Sequence, residues 1–284
     1  MIRPLRVELF KLRRRPATWV LGLILIGLLL LGYILIWHFI SNPPRGARFE
    51  RGFNKAIALR AVYPESFIRT GFSTVGSLGG ALCMLLGVLA TGSEYGWGTL
   101  KTLLTQGPGR SEIYAGKLLA LAVVVLIFVL VMLGVAAAAS AILVRVDGQT
   151  STWPDAVAIL KGIGAGWLIF GMWTAFGVFL AFLFRQATLA IGIGLVYMLI
   201  VEAIIGGILT GIGGDVFTNI DKLLPGTNTT SLIGVFGNGS RFLGGGVLPA
   251  VDGGRAVLTL AAYVVAFVAI AGFAFTRRDI NLGR

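Results

Sequence analysis

One polar segment gathers most of the side chains that could bind a partner. Residues 92–117, GSEYGWGTLKTLLTQGPGRSEIYAGK, lie between two apolar runs with abrupt boundaries. The segment contains two acidic and three basic side chains, Glu94, Glu112, Lys101, Arg110 and Lys117. Such groups suit ion pairing and hydrogen bonding with another protein, since loops commonly carry recognition. The whole chain has one His and one Cys, which argues against a metal site of the usual His/Cys kind.

Glu202 is the second feature of the sequence that could take part in binding or proton transfer. It is a single carboxylate inside an otherwise apolar run. A charged side chain at the centre of a bilayer costs about 2.5–3.5 kcal/mol on insertion scales, so such a group normally faces the protein interior. Its position is consistent with a substrate or proton site. It is also consistent with a hydrogen bond between helices, for example to Tyr197 of a neighbouring copy.

Long apolar runs must position both features. The chain of 284 residues is 56% hydrophobic and 13% charged, with a mean hydropathy of +0.89, whereas a soluble domain carries about 25% charged residues. A helix needs about 20 apolar residues to cross a bilayer. Six runs qualify and predict a single all-α, polytopic membrane domain over 1–284, with spans at 17–40, 71–91, 118–144, 162–184, 187–211 and 256–275. Arg185 and Gln186 divide the fourth and fifth spans into a tight helical hairpin.

Glycine is concentrated in the second and fifth runs. The second contains Gly76, Gly79, Gly80 and Gly87. Small residues let neighbouring membrane helices approach closely. We therefore expect these two spans to pack tightly against other helices.

The first 16 residues have the period of an amphipathic helix. Ile2, Leu5, Leu9 and Leu12 are spaced by three or four residues and form one apolar stripe. The pattern predicts a helix in the headgroup region that ends where the chain enters the membrane at Pro16. Its interfacial anchor would be Lys11, Arg13, Arg14 and Arg15. A basic anchor without a fixed helix is the alternative interpretation.

Charge gives the expected orientation and excludes one class of partner. Arg13, Arg14 and Arg15 directly precede the first span, which places the N-terminus, and with six spans both termini, in the cytoplasm. The formal charge of +12 is spread over several polar segments, so there is no basic stripe for nucleic acid. Binding to anionic lipid headgroups is the simpler explanation.

The polar segment 92–117 connects the second and third spans on the N-terminal side. Residues 99–105 are expected to form a short helix, which Gly107, Pro108 and Gly109 end. Ser111 would cap the next helix. The segment is either an ordinary polar loop or a docking surface for a cytosolic partner, and composition alone leaves both interpretations open.

The segment resembles the signature region of ABC-2-type permeases, the membrane subunits of bacterial ATP-driven exporters, including those of the type V exporter kind. In that family a Glu and a polar-aromatic cluster precede Gly-Thr-Leu and a Leu-Leu pair, followed by an Arg and a Lys. The positions that match are Glu94, Gly98, Thr99, Leu100, Leu103, Leu104, Arg110 and Lys117. The N-terminal ELFKLRRRPATW, residues 8–19, and FTRRDI, residues 275–280, are further points of likeness.

The resemblance implies a layout and a set of partners. It implies six spans, an interfacial N-terminal helix, a coupling helix within 92–117 and re-entrant outer segments within 212–255. The residues it assigns to coupling with the ATPase are Glu94, Tyr95, Gly98, Thr99, Leu100, Lys101, Leu103, Leu104 and Arg110. It also implies two cytosolic ABC ATPase subunits, a second permease copy or homologue, and membrane lipid as partners, in the cell membrane.

The chain itself is expected to bind no cofactor, with ATP and Mg held by the partner ATPase. The phosphate-binding pattern Gly-x4-Gly-Lys-Ser/Thr is absent from the sequence. We therefore expect a transport subunit rather than an enzyme, moving an amphiphile such as a peptide, an antibiotic or a lipid. The alternative is an ion-coupled carrier that uses Glu202. A membrane-embedded enzyme would need several catalytic groups at one depth, and the sequence offers no such cluster.

The basic outer loop 41–70 departs from the family layout, and an anionic substrate or lipid headgroup is one candidate ligand for it.

Overall fold

The computed structural model of the protein describes six parts of the chain, residues 2–42, 55–96, 109–202, 204–205, 219–237 and 250–277. Within these parts the secondary structure is helical, with connecting turns and no strand. The all-α fold predicted from the sequence is therefore confirmed for the described residues.

The described residues form nine α-helices. Their bounds are α1 Ile2–Arg14, α2 Pro16–Ser41, α3 Lys55–Leu59, α4 Phe67–Gly96, α5 Arg110–Val146, α6 Ala156–Phe184, α7 Ala187–Val196, α8 Pro225–Gly234 and α9 Gly253–Arg277. The 3-10 turns Arg60–Val62 and Pro64–Ser66 lead into α4, and the π-helical turn Tyr197–Val201 continues α7. Helices α2, α4, α5, α6 and α9 are long and apolar enough to cross a membrane.

These long helices contain five of the six predicted spans. The fifth predicted span, 187–211, corresponds to the shorter apolar helix Ala187–Val201, and residues 206–218 lie outside the described part. The predicted hairpin between the fourth and fifth spans is confirmed. Arg185 ends α6 in the left-handed conformation with φ 53°, and Gln186 precedes the first residue of α7.

Helix boundaries follow local chemistry. Pro16 is the first residue of α2, where its missing N–H is not needed for the helix. The Asp155 carboxylate caps α6 by accepting a hydrogen bond from the Ala158 N–H at 3.0 Å. One expectation was wrong. Helix α5 begins at Arg110 with Gly109 as its N-cap, so Ser111 lies inside the helix and does not cap it. Helix α5 therefore starts about two turns before the apolar run that begins at residue 118, and Glu112 and Lys117 lie on it.

Helices α4 and α6 form the centre of the molecule and approach backbone to backbone. A Cβ on Gly87 would meet the Thr174 carbonyl, and a Cβ on Gly177 would meet the Met84 carbonyl. The Thr174 hydroxyl donates to the Cys83 carbonyl at 3.1 Å across the same contact. The expected close packing of the glycine-rich second span is therefore observed at Gly87.

Helix α4 is interrupted at Gly76, which has φ 47° and ψ −138°. This left-handed conformation suits glycine, which has no Cβ to clash. The helix therefore consists of a short part before Gly76 and a longer part that reaches Gly96. The break lies at the end of α4 away from the polar segment 92–117.

Helices α7 and α9 complete the core around α6. A Cβ on Gly194 of α7 would meet Met84 and Leu180, so α7 folds back against both α4 and α6. Phe267 of α9 stacks on Phe179 of α6 with ring centroids 5.4 Å apart. Helix α2 packs against the core through one side, with Leu25, Leu29 and Tyr33 buried. Its other side exposes large apolar side chains such as Leu23, as expected for a surface that faces lipid or another subunit.

A hydrogen-bonded cluster joins the ends of α2 and α5 to the first connection. The Asp147 carboxylate accepts from Trp37 Nε1 at 3.2 Å and from the Tyr63 hydroxyl at 3.0 Å. Burial, together with the neighbouring Asp147 charge, raises the pKa of Tyr63 to about 12. The phenol therefore stays protonated and donating at neutral pH. The described part of the first connection contains α3 and two 3-10 turns, and residues 43–54 lie outside the described part.

Candidate coupling site

Four charged side chains meet where the polar segment 92–117 joins α4 and α5. Lys117 Nζ lies 2.9 Å from Glu94 Oε1 and 3.0 Å from Glu8 Oε2. Lys11 Nζ lies 2.7 Å from Glu8 Oε1 and 3.3 Å from Glu94 Oε1. We call Glu8, Lys11, Glu94 and Lys117 the Glu94 cluster. It joins three helices, α1, α4 and α5, through two cations and two carboxylates.

Three of the four side chains, those of Glu8, Glu94 and Lys117, are nearly closed to solvent. The Glu94 side chain is 2% exposed and the Lys117 side chain 3% exposed. Lys117 Nζ also donates to the Ala90 carbonyl at 3.1 Å, so each of its three N–H groups has an acceptor. Removing one partner from a buried pair of this kind leaves an uncompensated charge, which is strongly destabilising.

Helix α1 reaches the cluster because its apolar side packs along α5. A Cβ on Gly116 would meet Pro4 and the Leu5 backbone, so glycine at this position allows close approach. Leu12 is buried, and Leu9 packs against the same core. The predicted N-terminal helix is confirmed as a helix, and part of its predicted stripe, Leu5, Leu9 and Leu12, faces the protein.

The basic residues predicted as an interfacial anchor divide into two pairs. Lys11 belongs to the Glu94 cluster, and Arg15 Nη1 donates to the Leu89 carbonyl of α4 at 2.8 Å. Arg13 and Arg14 are exposed. Lys11 and Arg15 therefore hold the N-terminal residues against the rest of the protein, whereas Arg13 and Arg14 remain at the surface.

Glu94 has partners other than the ones expected from sequence. Within the polar segment, the sequence offers Lys101 and Arg110 as partners of Glu94, besides a residue of another subunit. Arg110 instead donates to the Thr276 carbonyl at 3.3 Å, near the end of α9, and Lys101 lies outside the described part. Glu8, Lys11 and Lys117 were not predicted as a set with Glu94. A sequence signal existed, because Glu8 is the only acidic residue of α1 and Lys11 follows it at i+3, the spacing of helical neighbours.

One oxygen of Glu94 remains without a partner among the described residues. Both cations of the cluster bind Oε1, while Oε2 is buried and accepts no hydrogen bond from any described group. Glu94 lies three residues before the range 97–108, which is outside the described part. That range contains the predicted coupling residues Gly98, Thr99, Leu100, Lys101, Leu103 and Leu104. Tyr95 lies in α4, and its side chain is not described.

The opposite charges of the cluster offset the cost of removing one another from water. Burial favours the neutral form of Glu8, but Lys117 and Lys11 outweigh it, and the pKa of Glu8 lies below its ordinary value of 4.5. Burial likewise opposes the charge of Lys11, but Glu8 and Glu94 raise its pKa above the ordinary 10.5. The Glu8 carboxylate therefore stabilises the folded chain above about pH 4.5, and this contribution is lost as the pH falls through the lower, folded-state pKa.

We expect the stability difference between the wild-type chain and Glu8→Gln to depend on pH. It should be largest near neutral pH and shrink below pH 4.5, because Glu8 then takes up a proton in the unfolded chain and, below its lower folded-state pKa, in the folded chain as well. Apparent melting temperatures in one detergent at a series of pH values measure this difference. A gap that stays constant down to pH 3 would contradict the role of the Glu8 charge.

Glu202 lies away from the Glu94 cluster, immediately after the π-helical turn. Its Oε1 accepts a hydrogen bond from the Gly226 N–H, in the first turn of α8. A Cβ on Gly226 would meet the carboxylate, so a larger residue there would displace the Glu202 side chain from this position. The expected hydrogen bond between helices is found within one chain, to α8 rather than to Tyr197 of a second copy. Glu202 is therefore a long-range cap of α8.

Five described helices of membrane-crossing length, with a buried charged cluster at one end, define a polytopic helical protein of the membrane type. The chain belongs to the family described as Protein of unknown function (DUF2705), whose sequence profile matches residues 72–281. The matched region begins within α4 and includes Glu94, Lys117 and Glu202. No curated protein matches the chain.

Proposed function

We propose that the chain is the membrane subunit of an ATP-driven exporter of the ABC-2 type, working with ATPase subunits on separate chains. The observation that carries the proposal is the Glu94 cluster. It lies at the base of the segment whose sequence resembles the ABC-2 signature, and it joins α1, α4 and α5 by ion pairs of 2.7–3.3 Å. A force applied to that segment would therefore act on three helices at once.

The packing of α4 supports a mechanical role. The part of α4 from Ser77 to Gly96 is a continuous helix that meets α6 through backbone contacts at Gly87 and Gly177. Packed elements of this kind move as units rather than deform continuously. A displacement at Glu94 would therefore be transmitted along α4 and α6 towards the break at Gly76.

In the proposed arrangement the chain has six spans, with both termini and the segment 92–117 in the cytoplasm of a bacterial cell. Two ABC ATPase subunits would bind that segment, and a second permease copy or homologue would complete the pathway. ATP and Mg would be held by the partner ATPase, because the chain has no phosphate-binding pattern of its own. The substrate would be an amphiphile such as a peptide, an antibiotic or a lipid.

The experiment is co-purification of the tagged permease with the ATPase encoded beside it, followed by measurement of transport and ATP hydrolysis in liposomes. We expect a stable complex whose ATPase rate and transport fall when Thr99 and Arg110 are both replaced by Ala. Lys161→Gln is the control, because this residue lies near the start of α6, away from the segment 92–117. The proposal fails if no ABC ATPase binds and the double variant transports as well as the control.

The ion-coupled carrier is a second candidate because Glu202 lines a cavity. It predicts transport driven by an ion gradient without ATP and abolished by Glu202→Gln. Transport that requires ATP hydrolysis by a bound partner would exclude it.

A further inference from the structure

A cavity of about 190 Å³ lies between α4, α6, α8 and the π-helical turn. Its polar and charged lining consists of Arg69, Ser73, Ser77, Glu202, Thr229 and Thr230. Trp173 and Met198 form part of the apolar wall. The volume is far above the roughly 10–15 Å³ that one water needs, so the cavity has room for a small polar group.

The two irregular helices of the described structure meet at this cavity. Gly76, where α4 is broken, lies in its lining between Ser73 and Ser77. The π-helical turn contributes Met198 and ends directly before Glu202. Irregular backbone within a membrane is tolerated where it lines a cavity in the protein, and π-helical turns occur frequently at functional sites.

The cavity presents charges of both signs. Glu202 Oε1 accepts from the Gly226 N–H, so the carboxylate is held against the wall formed by α8. Arg69 lines the same cavity, and its Nη1 donates to the Gly237 carbonyl at 3.0 Å. Thr229 Oγ1 is buried and has no hydrogen-bond partner among the described residues. A carboxylate, a guanidinium and an unsatisfied hydroxyl therefore surround one space.

The depth of the cavity restricts what could enter it. Ser77 and Glu94 are about 25 Å apart along α4 at 1.5 Å per residue. The hydrocarbon core of a bilayer is about 30 Å thick. If Glu94 lies at one boundary of the membrane, the cavity lies close to the opposite boundary, at the level of headgroups.

We propose that this cavity binds a zwitterionic group in which a primary ammonium contacts Glu202 and an anion contacts Arg69. A simple cation would be opposed by the guanidinium and a simple anion by the carboxylate, whereas a zwitterion satisfies both. The hydroxyls of Ser77 and Thr229 supply further acceptors for the ammonium. As an assignment of substrate chemistry, the inference rests on the proposed export function. The group is either the headgroup of an amino-phospholipid or a free zwitterion, and the two sources share this chemistry.

The test uses the full-length permease alone, in nanodiscs of phosphatidylcholine, without any ATPase. One arm measures binding of soluble phosphoethanolamine by calorimetry, and the other measures retention of phosphatidylethanolamine by native mass spectrometry. Phosphocholine, which has no N–H donor, is the chemical control. Binding of the soluble probe assigns a free zwitterion, and retention of the lipid alone assigns a headgroup.

We expect Glu202→Gln to weaken binding about tenfold, the size of one charge-assisted hydrogen bond. The Gln side chain can still accept from Gly226, so α8 stays capped. Glu112→Gln makes the same chemical change at an exposed position of α5 and should have no effect. Thr229→Val conserves shape, removes an unpaired hydroxyl and should weaken binding without loss of folding.

Three results would overturn the inference: no binding in either arm, equal binding of phosphocholine and phosphoethanolamine, or equal binding by the Glu202→Gln and Glu112→Gln chains. The outcome is separate from that of the proposed function. If neither probe binds but an ABC ATPase co-purifies, only the assignment of a zwitterion to the cavity is refuted. If a probe binds but no ATPase co-purifies, only the proposed function is refuted.

Discussion

Replacing Lys117 with Met is expected to lower the stability of the folded chain by about 3–5 kcal/mol, the cost of breaking a buried ion pair from one side. Two cations contact both carboxylates, and Lys117 is the more deeply buried of them, at 2.9 Å from Glu94 and 3.0 Å from Glu8. Without it, Lys11 remains as the one cation of the cluster, and it is 29% exposed. The Glu94 carboxylate would then be buried with a single partner at 3.3 Å.

The same variant should also loosen α1. The Lys117–Glu8 pair joins α1 to α5, and its loss leaves the Lys11–Glu94 pair, the packing of Leu9 and Leu12 and the Arg15–Leu89 hydrogen bond. We expect the N-terminal residues to exchange amide hydrogens faster in Lys117→Met than in the wild-type chain. Glu112→Gln is the matched control, because it changes a charge on the exposed side of α5 near Lys117.

A double replacement separates charge from shape. Replacing both Lys117 by Met and Glu94 by Leu removes the pair and leaves no unpaired charge between them, so much of the lost stability should return. Under the proposed function, this double variant would fold but would couple ATP hydrolysis to transport poorly. A Lys117→Met chain with wild-type melting temperature and wild-type hydrogen exchange would show that the cluster does not support the fold.

Hydropathy was sufficient to predict the long helices, because length and composition decide whether a segment can cross a bilayer. The hairpin at Arg185 was also predictable, since two polar residues interrupt a long apolar run. The i+3 spacing of Glu8 and Lys11 indicates a pair within α1, but the sequence does not indicate that this pair meets Glu94. Glu8 is far away in sequence, and nothing local indicates that α1 folds back against α5. The third predicted span begins at residue 118, which puts Lys117 at the membrane boundary, and the sequence does not reveal that α5 begins earlier, at Arg110.

The glycines of α4 show why the cavity beside Glu202 could not be predicted from the sequence. The sequence concentrates glycine in the second span but does not say which glycine does what. Gly80 packs against Trp173 and Met198, Gly87 contacts the backbone of α6, and Gly76 breaks the helix. These roles depend on neighbours from α6 and the π-helical turn. For the same reason Glu202 could be recognised as unusual, but its capping of Gly226 could not be foreseen.

The contact between α4 and α6 should be the second most sensitive point of the fold. Gly177→Ala places a Cβ against the Met84 carbonyl and within 3.1 Å of the Val88 nitrogen. Backbone atoms cannot move aside as a flexible side chain can, so the helices must separate. Overpacking of this kind costs about 1–3 kcal/mol. Gly87→Ala should behave similarly, because its Cβ would meet the Thr174 carbonyl.

Gly171→Ala is the internal control for this prediction. It lies on the same helix, and a Cβ there meets no described atom within 4 Å. Because alanine favours a helix by about 1 kcal/mol over glycine, this variant should be neutral or slightly more stable. The comparison therefore removes helix propensity from the result and leaves the steric effect of the interface.

The effects of Gly177→Ala and Gly87→Ala on the free energy of unfolding should also be non-additive. Once Gly177→Ala has separated α4 from α6, adding Gly87→Ala should cost less than it does alone, since both methyl groups enlarge the same gap. Unfolding by denaturant in a fixed detergent gives the four free energies that this double-mutant cycle needs. Equal stabilities for Gly177→Ala and Gly171→Ala, or strict additivity in the cycle, would mean that the backbone contact between α4 and α6 does not form in the folded protein. The transmission of movement along α4 would then lose its physical basis, because α6 could not follow a displacement of Glu94.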